Sequence, residues 1–136
     1  MVANKLLELL NSGAVEKGPV EGFVYIGEYR DIETGEPLFD QVKIGYTTKT
    51  LEERATALSG GVIGPLKFTM IYAWRFQPAG YAYMTEQRLH GLFDDYRQMG
   101  EFFSGMEGLI EEWAGEAIDK LFGDISEPVL IDGEQV

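Results

Sequence analysis

The chain has 136 residues, of which 45% are hydrophobic, and it carries a formal net charge of −12. This length fits one compact domain with a core of its own. No membrane-spanning helix is predicted, because no stretch approaches the roughly 20 consecutive apolar residues that such a helix needs. The chain contains no cysteine, which excludes disulfides and cysteine-based metal sites, and we expect a cytoplasmic protein.

The acidic charge is concentrated in the C-terminal part of the chain. Residues 101–136 contain ten acidic side chains and one basic side chain, whereas residues 41–100 contain seven basic and five acidic ones. Nucleic acids are attracted by basic surface and repelled by acidic surface. Because the acidic residues are concentrated at the C-terminal end, the net charge of the whole chain is only a weak argument against a nucleic-acid partner.

Three segments have the composition of strands. GFVYIG at 22–27 and VKIGYT at 42–47 are rich in β-branched and aromatic residues, and ETGEP at 33–37 is typical of a turn. LKFTMIYAWRF at 66–76 alternates large apolar residues with smaller or polar ones. We predict two antiparallel strands over 22–46 and a third strand over 66–76.

Helices are predicted on both sides of these strands. Leucines near the start of the chain indicate a short helix within residues 1–21. Thr50 and Glu53 have the spacing of a capping box, in which each side chain satisfies a free backbone amide at a helix start. Apolar residues at helical spacing predict a helix over 79–96 and another from about Ser104.

These elements predict an α+β fold with a small three-stranded antiparallel sheet flanked by helices, and with extra helices at the N- and C-terminal ends. We divide the chain into an N-terminal helix and connector (1–21), a central domain (22–104), an acidic amphipathic helix packed on that domain (105–123) and an acidic tail (124–136). The tail is predicted to contain an edge strand at 129–131.

Two charged side chains lie on or beside the apolar stripes of predicted helices. Glu86 interrupts the stripe of residues 79–96, and burying an unpaired carboxylate is costly. Glu86 either shares a metal ion with His90, four residues further on, or lies partly in solvent at the edge of the stripe. Arg54 either reaches a ligand phosphate along the sheet face or extends into water.

Taken in order, five segments resemble the GIY-YIG endonuclease superfamily, and in particular its phage-type branch, in which the second motif reads KIG followed by a tyrosine. GFVYIG and VKIGYT match the two strand motifs, and Arg54 follows them on a helix. TEQRLHGLF at 85–93 matches the segment with the metal-binding glutamate, and GEFF at 100–103 matches the end of the domain.

The resemblance implies a metal-dependent endonuclease or DNA-binding protein of phage or prophage origin, acting in the host cytoplasm. It assigns Tyr25 to water activation, Arg54 to stabilising charge on the phosphate, and Glu86 to holding one Mg²⁺ or Mn²⁺ ion, with Tyr46 as a second candidate catalytic phenol. Such cations prefer oxygen ligands, and phosphoryl transfer depends on positioned positive charge.

Lys43 stands where the superfamily usually has the tyrosine of its second motif. Tyr46 is the remaining candidate phenol, but residues three apart on a strand face opposite ways. Leu58 takes the place of a histidine found in some members, and the only asparagines are Asn4 and Asn11, where many members have a late asparagine at the site. A catalytically inactive module that binds nucleotides or nucleic acid is therefore an alternative.

DNA is the predicted partner, and the predicted substrate-binding residues are Lys43, Arg75, Arg88 and His90. The aromatic run FTMIYAW at 68–74 either stacks on nucleotides or packs in the core. A third interpretation gives the acidic C-terminal helix a protein partner, either by docking or by imitating nucleic-acid charge. The usual explanation of such a charge run is a solvated helix face.

Overall fold

A computed structural model describes residues 20–37, 39–60, 65–129 and 131 of the chain. The helix predicted near the start of the chain and the end of the predicted tail lie outside these residues. None of the described helices is long and apolar enough to cross a membrane.

Across the described residues, six strands and three helices form a single sheet with helices on both faces. The strands are β1 (Gly22–Asp31), β2 (Gln41–Thr47), β3 (Leu66–Phe76), β4 (Arg97–Met99), β5 (Phe102–Ser104) and β6 (Ser126–Val129). The helices are α1 (Leu51–Gly60), α2 (Gly80–Leu92) and α3 (Leu109–Phe122). All strand pairs are antiparallel, in the order β4-β5-β2-β1-β3-β6.

The predicted α+β class and the antiparallel sheet flanked by helices are confirmed. β1, β2 and β3 are the three predicted strands, and β1 lies between the other two. The sheet is larger than expected, because β5 and β4 extend it beyond β2, and β6 pairs with β3. These added strands have only three or four residues, which is too short for a strand pattern to show in the sequence.

Several boundaries differ from those predicted. The helix expected over 79–96 ends at Leu92, and the next helix begins at Leu109 because residues 102–104 pair with β2 as β5. Gly108 has a φ of 94°, a left-handed value that suits glycine, directly before α3. The predicted edge strand lies a few residues earlier than expected, and its Pro128 is tolerated because β6 pairs with β3 alone.

The two faces of the sheet bury separate cores. On one face, Val24, Ile26 and Ile44 pack with Leu89 of α2 and Ile110 of α3. On the other face, which we call the α1 face, apolar residues of α1 pack against four buried strand residues: Tyr25, Phe68, Met70 and Ala73. The first motif therefore contributes to both cores, and its tyrosine belongs to the α1 face.

Candidate active site

Strand register places Tyr25 and Lys43 on the same face of the sheet. In the β1–β2 pair, Tyr25 lies opposite Gly45, and Gly27 lies opposite Lys43. Directly opposite residues share a face, and so do residues two apart on one strand. Lys43 therefore occupies the α1 face, beside the tyrosine of the first motif.

Tyr46 lies on the opposite face. It is paired with Val24, and its ring makes a T-shaped contact with Tyr83 of α2 at a centroid distance of 5.2 Å. Burial raises the pKa of Tyr46, and the nearby charge of Glu86 raises it further. The prediction that Lys43 and Tyr46 face opposite ways is confirmed. Tyr46 therefore lies on the face opposite Tyr25, and its role as a catalytic phenol stays a prediction.

The hydroxyl of Tyr25 is held by Arg54. Arg54 Nε donates a hydrogen bond to Tyr25 Oη at 3.2 Å, and Tyr25 is 0% exposed. Gly45 leaves room for this hydroxyl, because a Cβ at that position would lie 2.5 Å from Tyr25 Oη. Burial raises the pKa of Tyr25, and the hydrogen bond and charge of Arg54 oppose the rise. The phenol is therefore neutral near pH 7.

The start of α1 fixes the position from which Arg54 projects. The predicted capping box is confirmed, since the Glu53 N–H donates to Thr50 Oγ1 at 3.1 Å and the Thr50 N–H donates to Glu53 Oε1 at 3.2 Å. The backbone N–H of Arg54 donates to the Thr50 carbonyl at 3.0 Å. From this first turn the guanidinium lies along the sheet face and reaches Tyr25, and its contact with a ligand phosphate stays a prediction.

Glu86 is a buried acid on α2. It is 1% exposed, in contrast to the alternative in which it lies partly in solvent, and Gln87 Nε2 donates to its Oε1 at 2.7 Å. Burial raises the pKa of Glu86 to about 7, the Gln87 hydrogen bond opposes this rise, and the charge of Glu101 adds to it. The backbone N–H of Tyr46 also acts to lower the pKa. The carboxyl therefore titrates near neutral pH.

His90 binds the backbone of the second motif. Its Nε2 lies 2.7 Å from the carbonyl oxygen of Ile44, so Nε2 carries the proton and donates it. The ring packs on Phe103 with centroids 5.2 Å apart. Burial lowers the pKa of His90. In this arrangement His90 is a neutral anchor between α2 and β2, and its assignment as a substrate contact stays a prediction.

Lys43 is paired with an acid that the sequence reasoning did not single out. The Lys43 Nζ–Glu101 Oε1 distance is 2.6 Å, and Nζ lies 5.2 Å from the centroid of the Phe102 ring. Glu101 belongs to the two-residue connection between β4 and β5. Its only signal in the sequence was its place in GEFF, since its contact with Lys43 depends on the pairing of β5 with β2.

The Glu101 carboxylate also influences the other titratable groups of the site. It contributes to the electrostatic environment of the following groups: Tyr25, Tyr46, Arg54, Glu86 and His90. Glu101 is therefore an anion inside the candidate site, close to both the cationic and the acidic side chains.

Arg75 and Arg88 lie in different surroundings. Arg75 is two positions beyond Ala73, the β3 partner of Tyr25, and it forms ion pairs with Glu127 at 2.6 Å and Glu21 at 3.7 Å. Arg88 is exposed on α2. Two carboxylates already engage the Arg75 guanidinium, and both arginines remain predictions as substrate contacts.

The aromatic run of β3 is mostly core. Phe68 and Trp74 are buried, the first on the α1 face and the second against α2 and α3. Tyr72 is 43% exposed and stacks on Trp74 with ring centroids 6.3 Å apart. Core packing therefore accounts for most of this run.

The carboxylate oxygens of Glu86 are suitable ligands for a hard divalent cation. In the part of the chain that the structure describes, no group of three histidine, aspartate or glutamate side chains converges as a metal site. Mg²⁺ is often bound through one or two carboxylates, with water and substrate phosphate supplying the other oxygens. Glu86, with the negative charge of Glu101 in its surroundings, meets this minimal requirement.

The fold and the two glycine-bearing motif strands define a GIY-YIG-like domain. The model of the T5orf172 domain matches residues 22–120. The chain belongs to this phage-associated family, whose domains are of the nuclease or DNA-binding type. No significant match was found among curated proteins or among solved structures. Assignment to the branch with KIG in the second motif stays a prediction.

Proposed function

We propose that the protein is a DNA endonuclease that hydrolyses a phosphodiester bond with the help of one divalent cation. The observation that carries the proposal is the 3.2 Å contact between Arg54 and Tyr25 on the sheet face that also presents Lys43. A phenol and two cationic side chains then share one surface. Glu86, on α2 at the other face of the sheet, interacts electrostatically with all three of them. Membership in a phage-associated family supports a phage or prophage origin.

Arg54 supplies positive charge to the reacting phosphate. Its Nε is bonded to Tyr25, which directs the two terminal amino groups of the guanidinium to phosphate oxygens. Negative charge accumulates on these oxygens in the transition state, and donors that are already in place lower the barrier. Tyr25 has two roles in this scheme: its hydroxyl holds Arg54 in position, and it orients the attacking water.

Glu86 would hold Mg²⁺ or Mn²⁺. When bound, the cation supplies Lewis-acid stabilisation of the charge on the phosphate oxygens. Because burial raises the pKa of Glu86 to about 7, protons and cations compete for this carboxyl near neutral pH. We therefore expect cation affinity to rise as the pH passes through 7.

A cleavage assay on supercoiled, single-stranded and branched DNA tests the proposal. We expect the wild-type protein to cut at least one of these with Mg²⁺ or Mn²⁺. Removing a group that acts in the transition state, by Arg54→Ala or Glu86→Gln, is expected to lower the rate by about 100-fold or more. Lys120→Gln, an exposed charge change on α3, is the control and should retain the wild-type rate.

The proposal fails if protein free of contaminating nuclease leaves all three DNA forms intact with either cation. It also fails if Arg54→Ala cuts at the same rate as Lys120→Gln, since the activity would then belong to another site or another protein.

A second candidate is a DNA-binding module without cleavage. The observation that favours it is the Lys43 ammonium, which lies on the α1 face at the position where the superfamily has its second tyrosine. Such a module would bind DNA with unchanged affinity after Glu86→Gln and would leave the DNA uncut with either cation. Metal-dependent cutting that is lost in Glu86→Gln would exclude it.

A further inference from the structure

Glu101 covers the ammonium group of Lys43. The two side chains are bonded at 2.6 Å, and the Lys43 side chain is 9% exposed whereas that of Glu101 is 41% exposed. The ion pair therefore joins a buried cation to an anion that solvent reaches. An anionic partner stabilises a buried cation, because an unpaired charge in such surroundings is costly.

The backbone that presents Glu101 is fixed, so a change at this point involves the side chain alone. Gly100 has a φ of 55°, as a tight turn between β4 and β5 requires at its first central position. The Glu101 carbonyl accepts a hydrogen bond from the Ile44 N–H at 3.0 Å, and the Gly100 carbonyl accepts one from Arg97 Nη1. Rotation of the Glu101 side chain into water leaves all of these bonds in place.

An anion that replaced the Glu101 carboxylate at Lys43 would also lie within electrostatic range of Arg54, whose pKa is raised by the Tyr25 hydrogen bond and by the Glu101 charge. Lys43 lies on the α1 face by strand register, and Arg54 reaches the same face at Tyr25. A phosphate group distributes its charge over several oxygens, so it can accept hydrogen bonds from an ammonium and a guanidinium together. A phosphate is therefore a stronger partner for this pair of cations than a single side-chain carboxylate.

We propose that Glu101 is a built-in anion that occupies the phosphate position at Lys43, and that a phosphate of the DNA backbone displaces it on binding. The proposal rests on the proposed function for the identity of the ligand and on the Lys43–Glu101 pair for its position. In the free protein Glu101 keeps Lys43 paired, and in the complex Glu101 turns to solvent. The site thereby selects ligands that bind Lys43 more strongly than a carboxylate does.

Binding of a short fluorescent DNA duplex in EDTA tests this displacement without cleavage. Because the competing anion is removed, Glu101→Gln and Glu101→Ala are each expected to bind about tenfold more tightly than wild type. Glu112→Gln removes the same charge from an exposed position on α3 and is the matched control, which should stay within about twofold of wild type. Lys43→Met should abolish the gain when combined with Glu101→Gln.

The displacement is wrong if Glu101→Gln gains no more affinity than Glu112→Gln, or if its gain persists in the double variant with Lys43→Met. Circular dichroism of every variant verifies the fold. Glu101→Ala gives a second, independent value for the same loss of charge.

Inorganic phosphate distinguishes failure of this proposal from failure of the proposed function. Titrated into ¹⁵N-labelled protein without DNA, phosphate is expected to shift the Lys43 Nζ resonance of Glu101→Gln at a concentration about tenfold lower than in wild type. If phosphate does so while no variant binds the duplex, the DNA function fails and the displacement stands. If phosphate shifts this resonance equally in both proteins, or in neither, the displacement is overturned.

Discussion

The glycines of the two strand motifs are required by side chains that lie across them. A Cβ on Gly45 would lie 2.5 Å from Tyr25 Oη, and a Cβ on Gly27 would lie 2.5 Å from the Phe68 ring and 2.7 Å from the Thr69 carbonyl oxygen. Real Cβ atoms do not approach neighbours this closely, so any other residue would displace a ring or the backbone. The repeated I-G pair in the sequence therefore reflects packing on the α1 face.

Gly45→Ala tests this packing. We expect it to destabilise the protein by about 1–3 kcal/mol, as overpacking of a filled site does, and to lower activity because Tyr25 must move. Gly91→Ala is the matched control, since no atom outside its own helix surroundings lies within 4 Å of its Cβ position and alanine favours a helix. Urea denaturation measures both. Equal stability of the two variants would contradict the contact between Tyr25 and Gly45.

The burial of Glu86 predicts a pH dependence of stability. Its folded-state pKa is raised to about 7, so the folded protein binds more protons than the unfolded chain between about pH 4.5 and 7. The free energy of unfolding therefore falls as the pH rises through this window. The contribution is at most about 3–4 kcal/mol, because a tenfold change in an acid constant corresponds to about 1.4 kcal/mol.

Urea denaturation at pH 5 and pH 8 measures this effect. Glu86→Gln mimics the protonated acid at both values, so we expect the decrease in stability with pH to be smaller in the variant than in wild type. An identical decrease in the two proteins would show that Glu86 titrates normally in the folded state.

At the scale of elements, α2 completes the part of β2 that β5 leaves unpaired. β5 pairs with Gln41, Val42 and Lys43 of β2. The backbone carbonyl of Ile44, the residue that follows them on β2, accepts its hydrogen bond from His90 of α2. Without His90 the Ile44 carbonyl would lack this hydrogen-bond donor, and a buried backbone group without a partner destabilises the fold. The four-residue spacing of Glu86 and His90 thus places both side chains along one strand edge.

His90→Phe tests this connection between α2 and β2. Phenylalanine retains an aromatic ring against Phe103 but leaves the Ile44 carbonyl without its donor, so we expect a loss of about 1–3 kcal/mol of stability. Arg88→Ala, an exposed change on the same helix, should alter stability by less than about 0.5 kcal/mol. Similar values for both variants would contradict an anchoring role for His90.

Long elements and local signals were predictable from the sequence. β1 to β3 have seven or more residues with strand composition, and the Thr50–Glu53 cap depends only on residues three apart. The short edge strands were not predictable, because three or four residues carry no period. The ends of α2 and α3 were missed because an apolar pattern continued into residues that pair in the sheet or form turns.

The candidate site was predictable to a similar degree. Tyr25, Arg54 and Glu86 follow from motif order, and the opposite orientation of Lys43 and Tyr46 follows from strand alternation. Glu101 did not follow, since 58 positions separate it from Lys43 and their contact depends on the β2–β5 register. The burial of Glu86 could not be predicted from the sequence either, because an apolar stripe on a helix does not show how much of each side chain the sheet covers.

At the scale of the whole molecule, the acidic charge of α3 lies across the sheet from Tyr25. Ile110, Ala114 and Ile118 of α3 belong to the core on the face opposite the α1 face. The exposed acids of this helix therefore project on that side of the molecule: Glu112, Glu116 and Asp119. A net charge of −12 is thus compatible with a phosphate-binding surface on the α1 face. A protein partner for the acidic helix stays a prediction.

We expect a divalent cation at Glu86 and a DNA phosphate at Arg54 to meet in one site. A crystal structure with Mn²⁺ and a non-cleavable DNA duplex tests both, because anomalous scattering locates Mn²⁺ and the electron density locates the DNA phosphates. We predict an anomalous peak beside the Glu86 carboxyl, with a backbone phosphate bonded to Arg54 on the α1 face. DNA bound away from Arg54, with no Mn²⁺ peak at Glu86, would contradict the account.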